Sequence, residues 1–133
     1  MLEKLELHAS IATDVTTTRH ELLVALARWG CSNGDNVALV FSELVTNAVL
    51  YGSGASSIVI DHEAGRVRLV VHDGSGAPPV MRAAGDATGG FGLRIVDQLV
   101  TGWGWDLTPD GKQVWAELPC CSAEPLDGTV CRR

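Results

Sequence analysis

Two periodicities divide the chain. Leu2–His8 sets Leu5 and Leu7 against Lys4, Glu6 and His8, the two-residue repeat of a short first strand. Val15–Trp29 changes to the helical repeat: Val15, Leu22, Leu23, Leu26 and Trp29 share an apolar side, and Arg19, His20, Glu21 and Arg28 are left for the other faces. Thr13 or Asp14 is placed to cap this helix and Gly30 to end it. Cys31–Gly34 reads as a turn, and Asp35–Tyr51 (DNVALVFSELVTNAVLY) as a second helix with Gly52 and Gly54 just beyond it. Ile58–Asp61 and Arg66–Asp73 then form a hairpin around Glu63-Ala64-Gly65. In it Val67, Leu69 and Val71 alternate with Arg66, Arg68, Val70 and His72. Phe91–Val100 is helical again, with Leu93, Val96, Leu99 and Val100 on its apolar side. Trp103–Leu107 and Lys112–Leu118 make a second hairpin around Pro109-Asp110-Gly111.

Between the first hairpin and the third helix lies Gly74–Gly90, which holds five glycines, Pro78 and Pro79, and few large apolar groups. A loop of that length inside a compact domain is usually functional. The predicted order is therefore β–α–α–β–β–loop–α–β–β. Hairpins joined to helices imply an α+β fold, a two-layer α/β sandwich with a mixed, mostly antiparallel sheet and helices on one face, not a doubly wound Rossmann sheet. No internal repeat and no composition shift divides the chain. Residues 1–119 read as one domain and residues 120–133, polar with Pro and Gly, as a disordered tail.

Composition narrows the function classes. The 133 residues are 46% hydrophobic and 20% charged, with a mean hydropathy of +0.16, which is a globular balance. The formal net charge of −6 argues against nucleic acid as the main partner, since phosphate binding needs a basic surface. No apolar run approaches the roughly 20 residues needed to span a bilayer. Met1–Ser10 mixes Glu3, Lys4 and Glu6 with leucines, unlike a signal peptide, so a cytoplasmic protein is expected. Of the four cysteines, Cys31 stands alone, Cys120 and Cys121 are adjacent, and Cys131 is near the end. None forms a CxxC pair and no histidine lies at zinc-ligand spacing from them, so free thiols are expected and a zinc site is not.

Three places carry chemistry. Glu43 and Asn47 are four apart on the second helix and share a face. They either border a solvated stripe or form a paired site, in which the Asn oxygen takes a Mg²⁺ position and the Glu accepts a proton from an attacking hydroxyl. Asp73-Gly74-Ser75-Gly76 ends a strand. It is either a plain Asp-Gly turn or a carboxylate set beside small residues, open to the exocyclic amine of a flat ligand. Gly89-Gly90-Phe91-Gly92-Leu93-Arg94 precedes a helix, where glycines either simply end a loop or present backbone N–H groups to an anion. It fits neither the P-loop nor the Rossmann spacing.

Taken in order, these segments resemble the GHKL, or Bergerat-fold, ATP-binding family of gyrase B, Hsp90, histidine kinases and MutL. Glu43-Leu44-Val45-Thr46-Asn47-Ala48 resembles its N box, Asp73-Gly74-Ser75-Gly76 its G1 box, and Gly90-Phe91-Gly92-Leu93-Arg94-Ile95-Val96 its G2 box. Gly111–Pro119 is similar to the family's last strand, so the likeness covers about residues 2–119. The length, with Arg28-Trp29-Gly30 and Gly111-Lys112-Gln113-Val114-Trp115, is similar to the small stand-alone anti-sigma factors that are serine/threonine kinases, especially the actinobacterial type.

The resemblance implies roles. Glu43 would be the general base on a partner's serine hydroxyl. Asn47 would bind Mg²⁺ and, through it, the triphosphate. Asp73 would read the adenine amino group, with Gly76 beside it, and residues 77–89 would be the ATP lid. Gly90 and Gly92, with Leu93, would meet the phosphates. The cofactors would be ATP and Mg²⁺. The partners would be a sigma factor or an anti-sigma-factor antagonist, with neither nucleic acid nor membrane, and a homodimer is compatible. The alternative is a catalytically weak module of this fold that sequesters a protein partner. Two departures bear on that choice: Ser75 and Ala77 stand where the G1 box usually has glycine, and Lys112 stands where many members carry threonine.

Overall fold

Five strands and three helices follow the predicted order in the computed structural model, which describes residues 2–52, 56–79 and 92–121. They are β1 (Glu3–Ala9), α1 (Ala12–Arg28), α2 (Gly34–Tyr51), β2 (Ser56–Glu63), β3 (Arg66–Asp73), α3 (Gly92–Leu99), β4 (Gly102–Thr108) and β5 (Gly111–Pro119). The strands line up β1-β2-β3-β5-β4. Every described pairing is antiparallel, which agrees with the α+β fold and mostly antiparallel sheet expected from sequence. Both hairpins supply antiparallel neighbours, and β5 returns beside β3 after α3 and β4, running the other way.

Alternation fixes which face is covered. Leu7, Ala9, Ile58, Ile60, Val67, Leu69, Val71, Val114, Ala116 and Leu118 are all buried toward the helices. From above, Leu22, Ala25, Leu26 and Trp29 of α1 and Val37, Val40, Phe41, Leu44, Val45 and Ala48 of α2 complete the core. Val96 of α3 closes it near β4. The opposite face of the sheet is polar and partly covered by its own side chains. There Arg68 donates to Glu117 (2.8 Å) and lies over the Trp115 ring at 4.9 Å.

Local chemistry sets the element ends. Helix α1 begins at Ala12, earlier than its apolar repeat suggests. Asp14 is not the cap itself. It lies in the first turn, and its carboxylate accepts the N–H groups of Ser10 (2.9 Å) and Ile11 (3.2 Å), which holds the chain at the helix entrance. The β2–β3 turn places Ala64 (φ 54°) and Gly65 (φ 77°) in the left-handed region, the two-residue turn that matches strand twist.

The end of β5 is tied to the α1–α2 turn. Asn33 donates its side-chain amide to the Pro119 carbonyl (2.9 Å) and its backbone N–H to that of Cys120 (3.0 Å). Cys120 is fully buried and forms a disulfide with Cys31. Cys121 is also disulfide-bonded. The sequence-based expectation of free thiols, and of a tail beginning at residue 120, is thus corrected for these positions. Residues 122–133 lie outside the described residues. No described helix is long and apolar enough to cross a membrane.

Candidate functional site

Helix α2 places Glu43 and Asn47 one turn apart, and both are buried, 7% and 5% exposed. This overturns the reading of them as the border of a solvated stripe. A carboxylate and a carboxamide taken out of water need partners, and both residues have them. Each therefore sits in a prepared polar setting inside an otherwise apolar helix, among Phe41, Leu44, Val45 and Ala48.

Asp73 ends β3 on the inward register and is 1% exposed. Three features fix its position. Gly52, the residue that ends α2, approaches so closely that a side-chain carbon there would lie 2.6 Å from the Asp73 carboxyl carbon. Gly74 donates its N–H to the Gly52 carbonyl (3.1 Å), stitching the strand end to the helix end. Gly111, on the neighbouring strand, packs against the Asp73 carbonyl and the Gly74 backbone, where any side chain would collide. The carboxylate thus sits at the C-terminal end of α2, about 7 Å along the helix axis from the level of Asn47 at 1.5 Å per residue.

Lys112 is the functional neighbour that motif reading left unpaired. It is on β5 directly opposite Asp73, is 2% exposed, and donates from Nζ to Asp73 Oδ1 at 3.0 Å. Ser75 donates its backbone N–H to the same oxygen (2.9 Å). The signal was in the sequence, because Lys112 falls on the same register as Val114, Ala116 and Leu118. A lysine on an apolar register needs a carboxylate across the ladder.

The other carboxylate oxygen, Oδ2, receives no hydrogen bond from a described residue, so Asp73 keeps an acceptor for an amine. The substituted G1 positions carry no strain: neither Ser75 nor Ala77 has a positive φ. The Ser75 hydroxyl accepts the Ala77 N–H (3.1 Å), forming a local turn. Gly76 lies beside Leu107 of β4, an exposed apolar side chain at 67% exposure.

Gly92 begins α3, and Leu93 follows within it. Gly90 and most of the expected lid, residues 80–91, lie outside the described residues, as does the side chain of Leu93. Helix α3 packs against α2 and β4, and Trp103 donates its indole N–H to Asp97 (3.1 Å). Helix α2, the end of β3 and the start of α3 therefore belong to one helix-and-strand assembly. A model of the histidine kinase-like ATPase domain matches residues 8–118, most of the chain. The chain belongs to this family. No curated protein matches it closely enough to add a relative.

A histidine kinase-like ATPase domain binds ATP, and the donor set here fits that ligand in outline. A buried carboxylate whose named bonds from described residues all fall on Oδ1 suits an adenine amine at Oδ2. An Asn–Glu pair one turn apart offers an oxygen ligand for a cation and a carboxylate for a proton. His72, to which sequence assigned no role, faces the other side of the sheet and contacts Thr108 (3.0 Å).

Proposed function

We propose that this histidine kinase-like ATPase is an ATP- and Mg²⁺-dependent serine/threonine protein kinase of the anti-sigma-factor type. In this reading it works in the cytoplasm, holds a sigma factor, and phosphorylates a protein antagonist, alone or as a homodimer. The observation that supports this most is the pair Glu43 and Asn47, buried together on α2. A module that only holds a partner has no need to bury a carboxylate at that position.

ATP would supply the phosphoryl group. Asp73 Oδ2 accepts the adenine amine, with Lys112 and the Ser75 N–H fixing the carboxylate through Oδ1. Asn47 offers its side-chain oxygen to Mg²⁺. Glu43 takes the proton from the partner's serine hydroxyl as that oxygen attacks. The rest of the catalysis is positioning and charge stabilisation, as is general for phosphoryl transfer. A second reading, a scaffold that sequesters its partner and binds nucleotide weakly, is favoured by the Lys112–Asp73 ion pair, which already engages half of the adenine-reading carboxylate.

The test is calorimetric titration of ATP with and without Mg²⁺, followed by phosphotransfer to a candidate antagonist. Wild type is expected to bind ATP in a Mg²⁺-dependent manner, and Asp73→Asn to bind roughly 10- to 100-fold more weakly, the worth of a hydrogen bond to a charged group. Glu43→Gln should keep ATP binding and lose phosphoserine formation. No heat up to millimolar ATP would remove the kinase reading and leave the scaffold.

A further inference from the structure

At the end of the sheet away from Asp73, three potential metal ligands converge. Cys31 follows α1, His62 is near the end of β2, and Cys120 follows β5. The two sulfurs and a ring nitrogen of His62 all lie within 4.8 Å of one another. His62 is 5% exposed and is held from two sides. Its ring stacks on Trp29 (centroids 5.6 Å apart, planes 7° apart), and its Nδ1 contacts the Glu3 carboxylate at 3.0 Å. A carboxylate partner makes Nδ1 the protonated nitrogen, so Nε2 presents a bare lone pair. That Nε2 is buried and has no hydrogen-bond partner.

A buried imidazole with one nitrogen fixed by a carboxylate and the other unsatisfied is the arrangement of a metal-binding histidine, its ring oriented by that carboxylate. Its neighbours are two sulfurs, which favour zinc among the common divalent ions. We propose that, when the Cys31–Cys120 disulfide is reduced, Cys31, Cys120 and His62 bind one Zn²⁺, so that this corner of the fold alternates between a disulfide and a zinc clasp.

The chemistry balances. A dithiol reductant gives two electrons and two protons, the Sγ–Sγ bond breaks, two thiols form, and the reductant becomes a disulfide. Zn²⁺ then displaces the two thiol protons, binding two thiolates and neutral Nε2. Zinc–sulfur and zinc–nitrogen bonds require ligand atoms about 3.5–3.8 Å apart in a tetrahedron. Opening the disulfide lets the sulfurs move to that separation within the existing cluster. Three protein ligands leave the fourth position to water. Cys31, partly buried, lines an open surface hollow of about 210 Å³ with Leu23, Ala27 and Ser32, which gives reductant and metal a route in.

This differs from what spacing along the chain predicts, since the three ligands come from distant segments that only the fold brings together. The experiment uses the whole chain, reduced with a phosphine, freed of reductant without air, and titrated with Co²⁺ as a spectroscopic probe. The expected result is one equivalent bound, with a sulfur-to-cobalt charge-transfer band and the intense visible bands of tetrahedral Co²⁺, all lost on adding Zn²⁺. Unreduced protein should show none of this. His62→Gln, with its fold checked by circular dichroism, should weaken binding at least tenfold, and Cys121→Ser should leave it unchanged. If reduction unfolds the chain, refolding on adding Zn²⁺ supports the site and failure to refold overturns it. A folded, reduced chain without the charge-transfer band overturns it. So does a His62→Gln chain that binds as well as wild type, or loss of binding in Cys121→Ser.

Discussion

Lys112 and Asp73 set the character of the proposed nucleotide end. Both side chains are almost fully buried and meet at 3.0 Å; the Ser75 N–H also donates to the Asp73 carboxylate, and Lys112 Nζ also reaches the Ser75 carbonyl at 3.4 Å. Removing one partner from such a pair strands the other in a low-dielectric site. Lys112→Met is therefore expected to lower stability by about 3–5 kcal/mol, measured by urea unfolding at neutral pH. The double variant Lys112→Met/Asp73→Leu should recover most of that loss, because a well-packed apolar pair replaces a buried ion pair at little cost. Failure of the double variant to recover would mean that the pair is needed for more than charge balance. At this scale the sequence was partly legible. Alternation put Lys112 among core positions and the strand-end carboxylate was evident, but the register that sets one opposite the other is a product of the sheet. The G1 substitutions are clearer in space than in sequence. Ser75 holds its own turn through Ala77, so the absence of glycine there costs no strain.

The elements were legible wherever a period was long, and less so at their ends. Residues 66–73 alternate cleanly, and β3 has those bounds; α2 carries so many apolar residues that its existence was never in question. Helix α1 begins earlier than its apolar stripe because its start is set by hydrogen bonds to Asp14, which a hydrophobic pattern does not register. Those two backbone N–H groups hold the Asp14 carboxyl below its ordinary value of 3.8. A lowered pKa in the folded state contributes stability that is present above the unfolded value and lost as pH falls through the folded one. Asp14→Asn should therefore lower the melting temperature at pH 7, with the difference from wild type closing below about pH 4. A difference that persists in acid would assign the effect to something other than the carboxylate's charge. The β2–β3 turn gives the opposite opportunity. Ala64 adopts φ 54°, a conformation that asparagine tolerates far better than alanine, ahead of Gly65 at φ 77°. Ala64→Asn is expected to add about 1 kcal/mol by denaturant unfolding, the scale of the left-handed penalty.

At the scale of the whole molecule, the two ends of the sheet do different work. Asp73 and Lys112 pair at one end of the β3–β5 ladder, while Arg66 pairs with Pro119 at the other, next to Cys120. Seven residue steps of strand separate them, about 23 Å. The proposed nucleotide end rests on motifs that are short and contiguous, which is why a resemblance to the N and G1 boxes could be seen in the sequence itself. The cysteine end rests on contacts between residues 89 apart in sequence, which no local pattern encodes; compartment alone suggested free thiols there. A cross-link spanning 89 residues removes conformational freedom from the unfolded chain worth about 4.5 kcal/mol in the chain-entropy picture. Replacing both cysteines, Cys31→Ser/Cys120→Ser, is thus expected to lower unfolding free energy by an amount of that order in metal-free buffer. Sites so far apart, sharing no partner, combine additively. The same double variant, assayed at a temperature where it remains folded, should therefore bind ATP with wild-type affinity. A marked loss of ATP affinity in the folded variant would show that the clasp acts through the sheet on the nucleotide site, making its redox state a control on that site and not only a support for the fold.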